Sequence, residues 1–289
     1  MKKLFLSAAL LAASLASQAQ QSPLWMRYPA ISPDGKTIVF SYKGDLYSVP
    51  STGGEARQLT TNAAYDSYPI WSPDGKKIAF ASTREGSMDV FIIPANGGAP
   101  TRLTTNSGSE MPVAFKDNEH VLFSANVMPT AQSNLFASRE FSQVYEVSTE
   151  GGRPKLYSVL PMENISINAQ GKVLYHDCKG YEDKWRKHHT SPITRDIWML
   201  DGGKYQKLTT FKGEDRNPVW ATDNQSFYYL SEQDGSFNIY HRNIASGKDT
   251  QVTHEKKNPI RFLTSSQDGL LCYGYDGEIY TVKEGAQPQ

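Results

Sequence analysis

Two adjacent histidines, His188 and His189, stand in a stretch that also carries Trp185, Arg186 and Lys187 and ends at Arg195. Imidazoles can hold a metal or move protons, and cations among aromatics can hold a carboxylate. Between Lys179 and Arg195, five lysines and arginines face only Glu182 and Asp183, a local excess of three positive charges. The patch could attract peptide carboxylates or dock another domain of the same polypeptide. It could equally be a solvated loop whose Trp185 packs on its neighbours. Metal binding by His188 and His189 is disfavoured, because adjacent side chains on a strand point apart.

Other groups with chemical potential fall away on inspection. Gly108-Ser109 lies in a polar stretch and is no Gly-x-Ser-x-Gly elbow. His254-Glu255 lacks the second histidine of a zinc-peptidase helix. Asp34 and Asp74 sit in Ser-Pro-Asp-Gly turns without the further oxygen ligands calcium needs. Turn chemistry suffices for Asp34, Gly35, Asp74, Gly75, Gly171 and Gly269. Cys178 and Cys272 show no metal-site spacing, and Cys272 reads as a small buried hydrophobe. No catalytic residue, metal or cofactor is expected.

The elements that carry these residues repeat. Ile31-Ser-Pro-Asp-Gly-Lys-Thr-Ile-Val-Phe40 returns as Trp71-Ser-Pro-Asp-Gly-Lys-Lys-Ile-Ala-Phe80, with weaker copies at Phe115, Ile167, Trp220 and Ser266. Each copy is an apolar run, a turn and a second apolar run, which is a hairpin. Gly or Asn recurs at the turn (Gly35, Gly75, Asn118, Gly171, Asn224, Gly269), where a left-handed backbone is tolerated. A third strand follows, such as Asp45–Val49 or Asp196–Leu200, then a Gly-Gly turn and an x-Leu-Thr strand. Four antiparallel strands repeated at this period are propeller blades. The expected fold is all-β, a six-bladed propeller after residue 19, with blades near 26–61, 67–105, 110–157, 162–210, 214–254 and 258–289.

The last blade has no x-Leu-Thr strand after Val282. Either Pro23-Leu24-Trp25-Met26 supplies it or the chain is cut from something longer. Two segments interrupt the repeat at the connection between second and third strands, Asn126–Ser142 in blade 3 and Lys179–Arg195 in blade 4. They project from the same face, where a rigid scaffold carries functional loops.

Thirty Lys and Arg balance thirty Asp and Glu, so no global field draws nucleic acid or an anionic membrane. Lys2 and Lys3, the apolar run Leu4–Leu15 and Ser17-Gln18-Ala19 fit a signal peptide over residues 1–19, cleaved after Ala19. The run is short for a membrane span. An exported, periplasmic protein is expected.

The Ser-Pro-Asp-Gly-Lys turns with Gly-Gly and x-Leu-Thr resemble the WD-like repeats of TolB and tricorn-type peptidases. Pro23–Pro29, Trp185–Thr190, Thr194–Trp198 and Cys272–Gly277 look most like the N-terminal six-bladed propeller of exported bacterial tricorn-type serine peptidases. That resemblance covers nearly the whole mature chain. It implies a downstream propeller and protease core on the same polypeptide, with this domain guiding peptides and cleaving none. It also implies arginines that anchor a peptide's C-terminal carboxylate. No Arg-Arg pair exists here; Arg139 is the nearest candidate by position, and Arg186-Lys187 the second. Expected partners are peptides or unfolded polypeptide, those downstream domains and further copies of the chain. The competing readings are a stand-alone TolB-like binding propeller and a propeller enzyme, the latter without paired acids at the inner blade ends.

Overall fold

The computed structural model describes residues 25–126, 142–180 and 190–289. These form 23 strands and no helix, in six antiparallel sheets, five with four strands and the last with three. Each sheet uses strands consecutive in the chain. The first strands are Arg27–Ile31, Asp66–Trp71, Glu110–Phe115, Met162–Ile167, Asp215–Trp220 and Arg261–Ser265. Each touches the first strands of both neighbouring sheets, so the sheets close into a ring of six blades. Among the described residues no helix is long and apolar enough to cross a membrane.

Local chemistry makes the hairpins. Asp34 Oδ1 accepts from Ser32 Oγ at 2.6 Å and from Lys36 N at 3.1 Å, while Gly35 N donates to the Ser32 carbonyl at 2.9 Å. Asp74 repeats the set with Ser72 and Lys76. The Ser hydroxyl bond, then the backbone bond, hold both carboxyls below the usual carboxylate range. Gly35 has φ +71, and a Cβ there would stand 2.9 Å from Asp268 Oδ1. Asn118 departs from the expected pattern: its backbone is not left-handed, and its Oδ1 accepts from Asp74 N across the blade junction.

The x-Leu-Thr strands have an equally local cause. Oγ1 of Thr60, Thr104, Thr209 and Thr253 accepts a backbone N–H of the third strand, at Leu46, Val90, Ile197 and Ile239, over 2.8–3.0 Å. The preceding Leu59, Leu103 and Leu208 are buried at the blade junction. Thr104→Val keeps the shape and removes the acceptor, stranding a buried N–H. A loss of about 1–3 kcal/mol in urea unfolding is expected; no loss would assign the motif to packing alone.

Each blade sets an aromatic of its second strand against one of its third: Phe40–Tyr47, Phe80–Phe91, Phe123–Tyr145, Tyr175–Trp198, Tyr229–Tyr240 and Tyr273–Tyr280. Such cross-strand pairs stabilise a sheet beyond their burial. Six apolar clusters fill the six blade junctions, and no residue belongs to two of them. Cys272 is buried beside Ile31 and Ile38 where blade 6 meets blade 1, and neither it nor Cys178 forms a disulfide.

The meeting of blades 6 and 1 uses the same bond as other junctions. Met26 N donates to the Gly277 carbonyl at 3.1 Å, as Asp66 N does to Gly44 at 2.7 Å. Met26 thus reaches the turn between second and third strands of blade 6 rather than the free edge of Glu278–Val282. On that edge Thr281 and Gln289 exchange both backbone bonds, at 2.9 and 3.0 Å.

Candidate functional site

All six inner strands lose register with their second strands at one place. The breaks fall at Arg27/Ala30, Ser67/Ile70, Glu163/Ser166, Arg216/Val219 and Arg261/Thr264, and opposite Leu122/Phe123 in blade 3. Such bulges throw one residue out of the ladder. In five blades that residue is left-handed without being glycine: Tyr28 (φ 54), Tyr68 (φ 52), Asn164 (φ 50), Asn217 (φ 52) and Phe262 (φ 61). The conformation costs about 1–2 kcal/mol per residue. All five line a central cavity of about 290 Å³ bounded by inner strands of all six blades.

The cavity has two unlike walls. On blades 6, 1 and 2, Tyr28 stacks on Tyr68 with centroids 3.9 Å apart and meets Phe262 edge-on at 4.9 Å. On blades 4 and 5, Asn217 Nδ2 donates to Asn164 Oδ1 at 3.0 Å. Asn217 N donates to His176 Nδ1 at 3.0 Å, which leaves the ring proton on Nε2, facing Glu163 Oε2 at 3.0 Å. Arg195 Nε donates to the same Glu163 oxygen at 3.1 Å. Nη1 of Arg195 and of Arg216 reach Glu214 Oε1 at 3.4 and 3.3 Å, and the Arg216 guanidinium lies 4.0 Å from the Phe237 ring centroid.

Burial pushes His176 below its ordinary pKa against the pull of Glu163, so the imidazole is neutral at pH 7. For Glu163, burial works upward, but the bond from His176 and the Arg195 charge hold its carboxyl well below the usual range. The wall is therefore a set of fixed, compensated donors and acceptors. It suits hydrogen bonding to a neutral polar guest such as a peptide unit.

Of the residues singled out by sequence, Arg139, Trp185, Arg186, Lys187, His188 and His189 lie outside the described residues. Arg195 lines the cavity with its guanidinium shared by Glu163 and Glu214, instead of standing in an open basic patch. The stem of the blade-4 insert is pinned beside it. Lys179 Nζ donates to the Thr194 carbonyl at 2.5 Å and pairs with Asp196, which also holds Lys207 at 2.7 Å. His176 precedes that insert and Arg195 ends it, while Ser124 precedes the blade-3 insert. All three line the cavity, so both inserts spring from its rim.

A serine–histidine–glutamate line-up occurs away from the cavity. Ser226 Oγ is 2.7 Å from His241 Nε2, and His241 Nδ1 is 2.9 Å from Glu284 Oε2. Ser226 is 1% exposed and its hydroxyl also meets both oxygens of Asp223 at 2.8–2.9 Å. A nucleophile needs access to substrate and no competing carboxylate. The group instead ties Glu284 to blade 5, helped by Tyr228 Oη at 2.9 Å.

Sequence reasoning passed over Tyr28, Tyr68, Asn164, Asn217 and Phe262. A usable signal was present: each stands four residues before the first residue of its hairpin turn, and Tyr28, Tyr68, Met111 and Asn217 precede Pro.

Comparison with known proteins follows this architecture. The tricorn protease crystal structure superposes with a TM-score of 0.78 at 19% identity, over 93% of this chain. The chain spans 26% of that protein's length. TolB from Acinetobacter baumannii gives 0.64 at 14% identity, over 90% of this chain and 61% of its own. The propeller domain of the Trilobed protease from Pyrococcus furiosus, described as having an open velcro topology, gives 0.55 at 13% identity, over 92% and 83%. At these identities the likeness is one of fold. No curated protein is matched by sequence. The family described as the tricorn protease N-terminal beta propeller domain matches residues 23–288, and the chain belongs to that family.

Proposed function

We propose that this chain is the substrate-guiding propeller of a periplasmic tricorn-type serine peptidase, passing peptides along its central cavity and cleaving none itself. The observation that carries the reading is membership of the tricorn N-terminal propeller family over residues 23–288. The two-walled cavity with an insert stem at its rim supports it. On this reading residues 1–19 direct export, the protease core lies on the same polypeptide, and Arg139 with Arg186-Lys187 and the histidines beside them meets peptide carboxylates. The TolB likeness of fold supports a second reading, a self-contained partner-binding propeller.

Immunoblotting the periplasmic fraction of the source cells with antibody to this domain separates the two. A species far above 32.2 kDa is expected. A species at that mass less the signal peptide overturns the peptidase reading, and absence from the periplasmic fraction overturns the location.

A further inference from the structure

The left-handed residues carry more than the shape of the ring. Blade 3 makes the same bulge with Pro112 and Val113, yet neither is left-handed. Bulge and ring closure therefore do not require the strained backbone at Tyr28, Tyr68, Asn164, Asn217 and Phe262. Aromatic residues in that region are genuine outliers, and such strain concentrates where a protein binds or reacts. Here it falls on side chains of one cavity and sorts them, with aromatics from blades 6, 1 and 2 on one side and amides from blades 4 and 5 on the other.

The amide wall has unused capacity of a particular kind. Asn217 Nδ2 donates to Asn164 Oδ1, which leaves Asn217 Oδ1 as an acceptor with no partner among the described residues. The nearest acceptor position to Asn164 Nδ2 is His176 Nε2 at 3.4 Å, and that nitrogen bears the ring proton, so the amide remains a donor to a guest. One donor and one acceptor side by side match the carbonyl and N–H of a peptide unit. A cavity of about 290 Å³ sits at the small end of ligand pockets, which start at roughly 300 Å³. It holds one residue of an extended chain.

Resting on the reading that peptides pass through this propeller, we propose that the cavity selects among them. An aromatic side chain of the passing peptide packs against the aromatic wall of Tyr28, Tyr68 and Phe262 while Asn164 and Asn217 hold its backbone unit. The ligand class is an extended peptide carrying Phe, Tyr or Trp.

The test uses the full chain and capped pentapeptides Gly-Gly-X-Gly-Gly, with X as Phe, cyclohexylalanine or Ala, titrated by calorimetry. The Phe peptide should bind about tenfold more tightly than the Ala peptide, with cyclohexylalanine between them, since stacking adds to apolar burial. Tyr68→Ala should erase the Phe preference. Asn217→Leu should weaken all three peptides by a similar factor and keep their order. If Tyr68→Ala fails to fold by circular dichroism, Phe262→Leu replaces it and should reduce the preference. Equal binding of Phe and Ala peptides, or a preference untouched by these aromatic variants, overturns the selection while leaving peptide passage standing. No binding of any peptide overturns both.

Discussion

Replacing Arg195 with methionine should cost about 3–5 kcal/mol of unfolding free energy, the loss typical of breaking a buried ion pair from one side. Arg195 is 7% exposed and bridges two carboxylates, Glu163 from the inner strand of blade 4 and Glu214 from the approach to blade 5. Methionine fills much of the same volume, so the change isolates charge from packing. Glu214, 1% exposed, keeps only the 3.3 Å contact to Arg216 of those two arginine bonds. The double variant Arg195→Met/Glu214→Gln also removes the excess buried carboxylate charge and should recover part of the loss. Urea is the denaturant of choice, since guanidinium adds salt that screens charge. A loss under about 1 kcal/mol would place the pair with solvent-screened surface bridges.

A second large effect is a pH dependence of opposite sense to ordinary acid denaturation. Glu110 is fully buried at the start of the inner strand of blade 3, and bonds from Thr104 and the Asn106 backbone only partly offset that burial. Burial, reinforced by the Asp89 charge, pushes its pKa up to about 7. Burial does the same for Asp215, also to about 7, against bonds from Ser231 and Thr209. An acid whose folded pKa is raised binds its proton more tightly when folded than when unfolded. Its stabilisation is complete below the unfolded value and is lost as pH climbs through the folded one. Stability should therefore fall between about pH 4.5 and pH 7. A carboxyl raised that far accounts for roughly 3 kcal/mol of the fall. Glu110→Gln and Asp215→Asn should each flatten that part of the profile and raise stability at pH 8. Parallel profiles for wild type and both variants would refute the assignment.

The ring was legible because its hairpins are written in local chemistry. Asp34 and Asp74 with their serines and glycines specify turns whatever lies around them, and the threonines of x-Leu-Thr cap the preceding strand of their own blade, 14 residues back. The cavity was not legible for the converse reason. Arg195 reads as part of a basic stretch because Glu163 and Glu214, which neutralise it, stand 32 and 19 residues away, on the inner strand of blade 4 and on the approach to blade 5. The inward residues share a backbone state rather than a side chain, so Tyr, Asn and Phe at one station do not look alike. His176 was invisible for a further reason: its role follows from facing Glu163 across a hairpin, and from Asn217 of the next blade.

The six junction clusters that share no residue bear on how such a sequence can change over time. A substitution in one junction disturbs that cluster alone, and effects at separate sites add rather than compound. Each junction can drift along its own course, accepting compensations from two adjoining blades without consulting the other four. Blade 3 shows the latitude this allows, with Lys116-Asp117-Asn118-Glu119 where blades 1 and 2 have Ser-Pro-Asp-Gly, while keeping its place in the ring. The chain superposes on the tricorn protease at 0.78 with 19% identity, so one ring geometry is reached by sequences that differ at most positions.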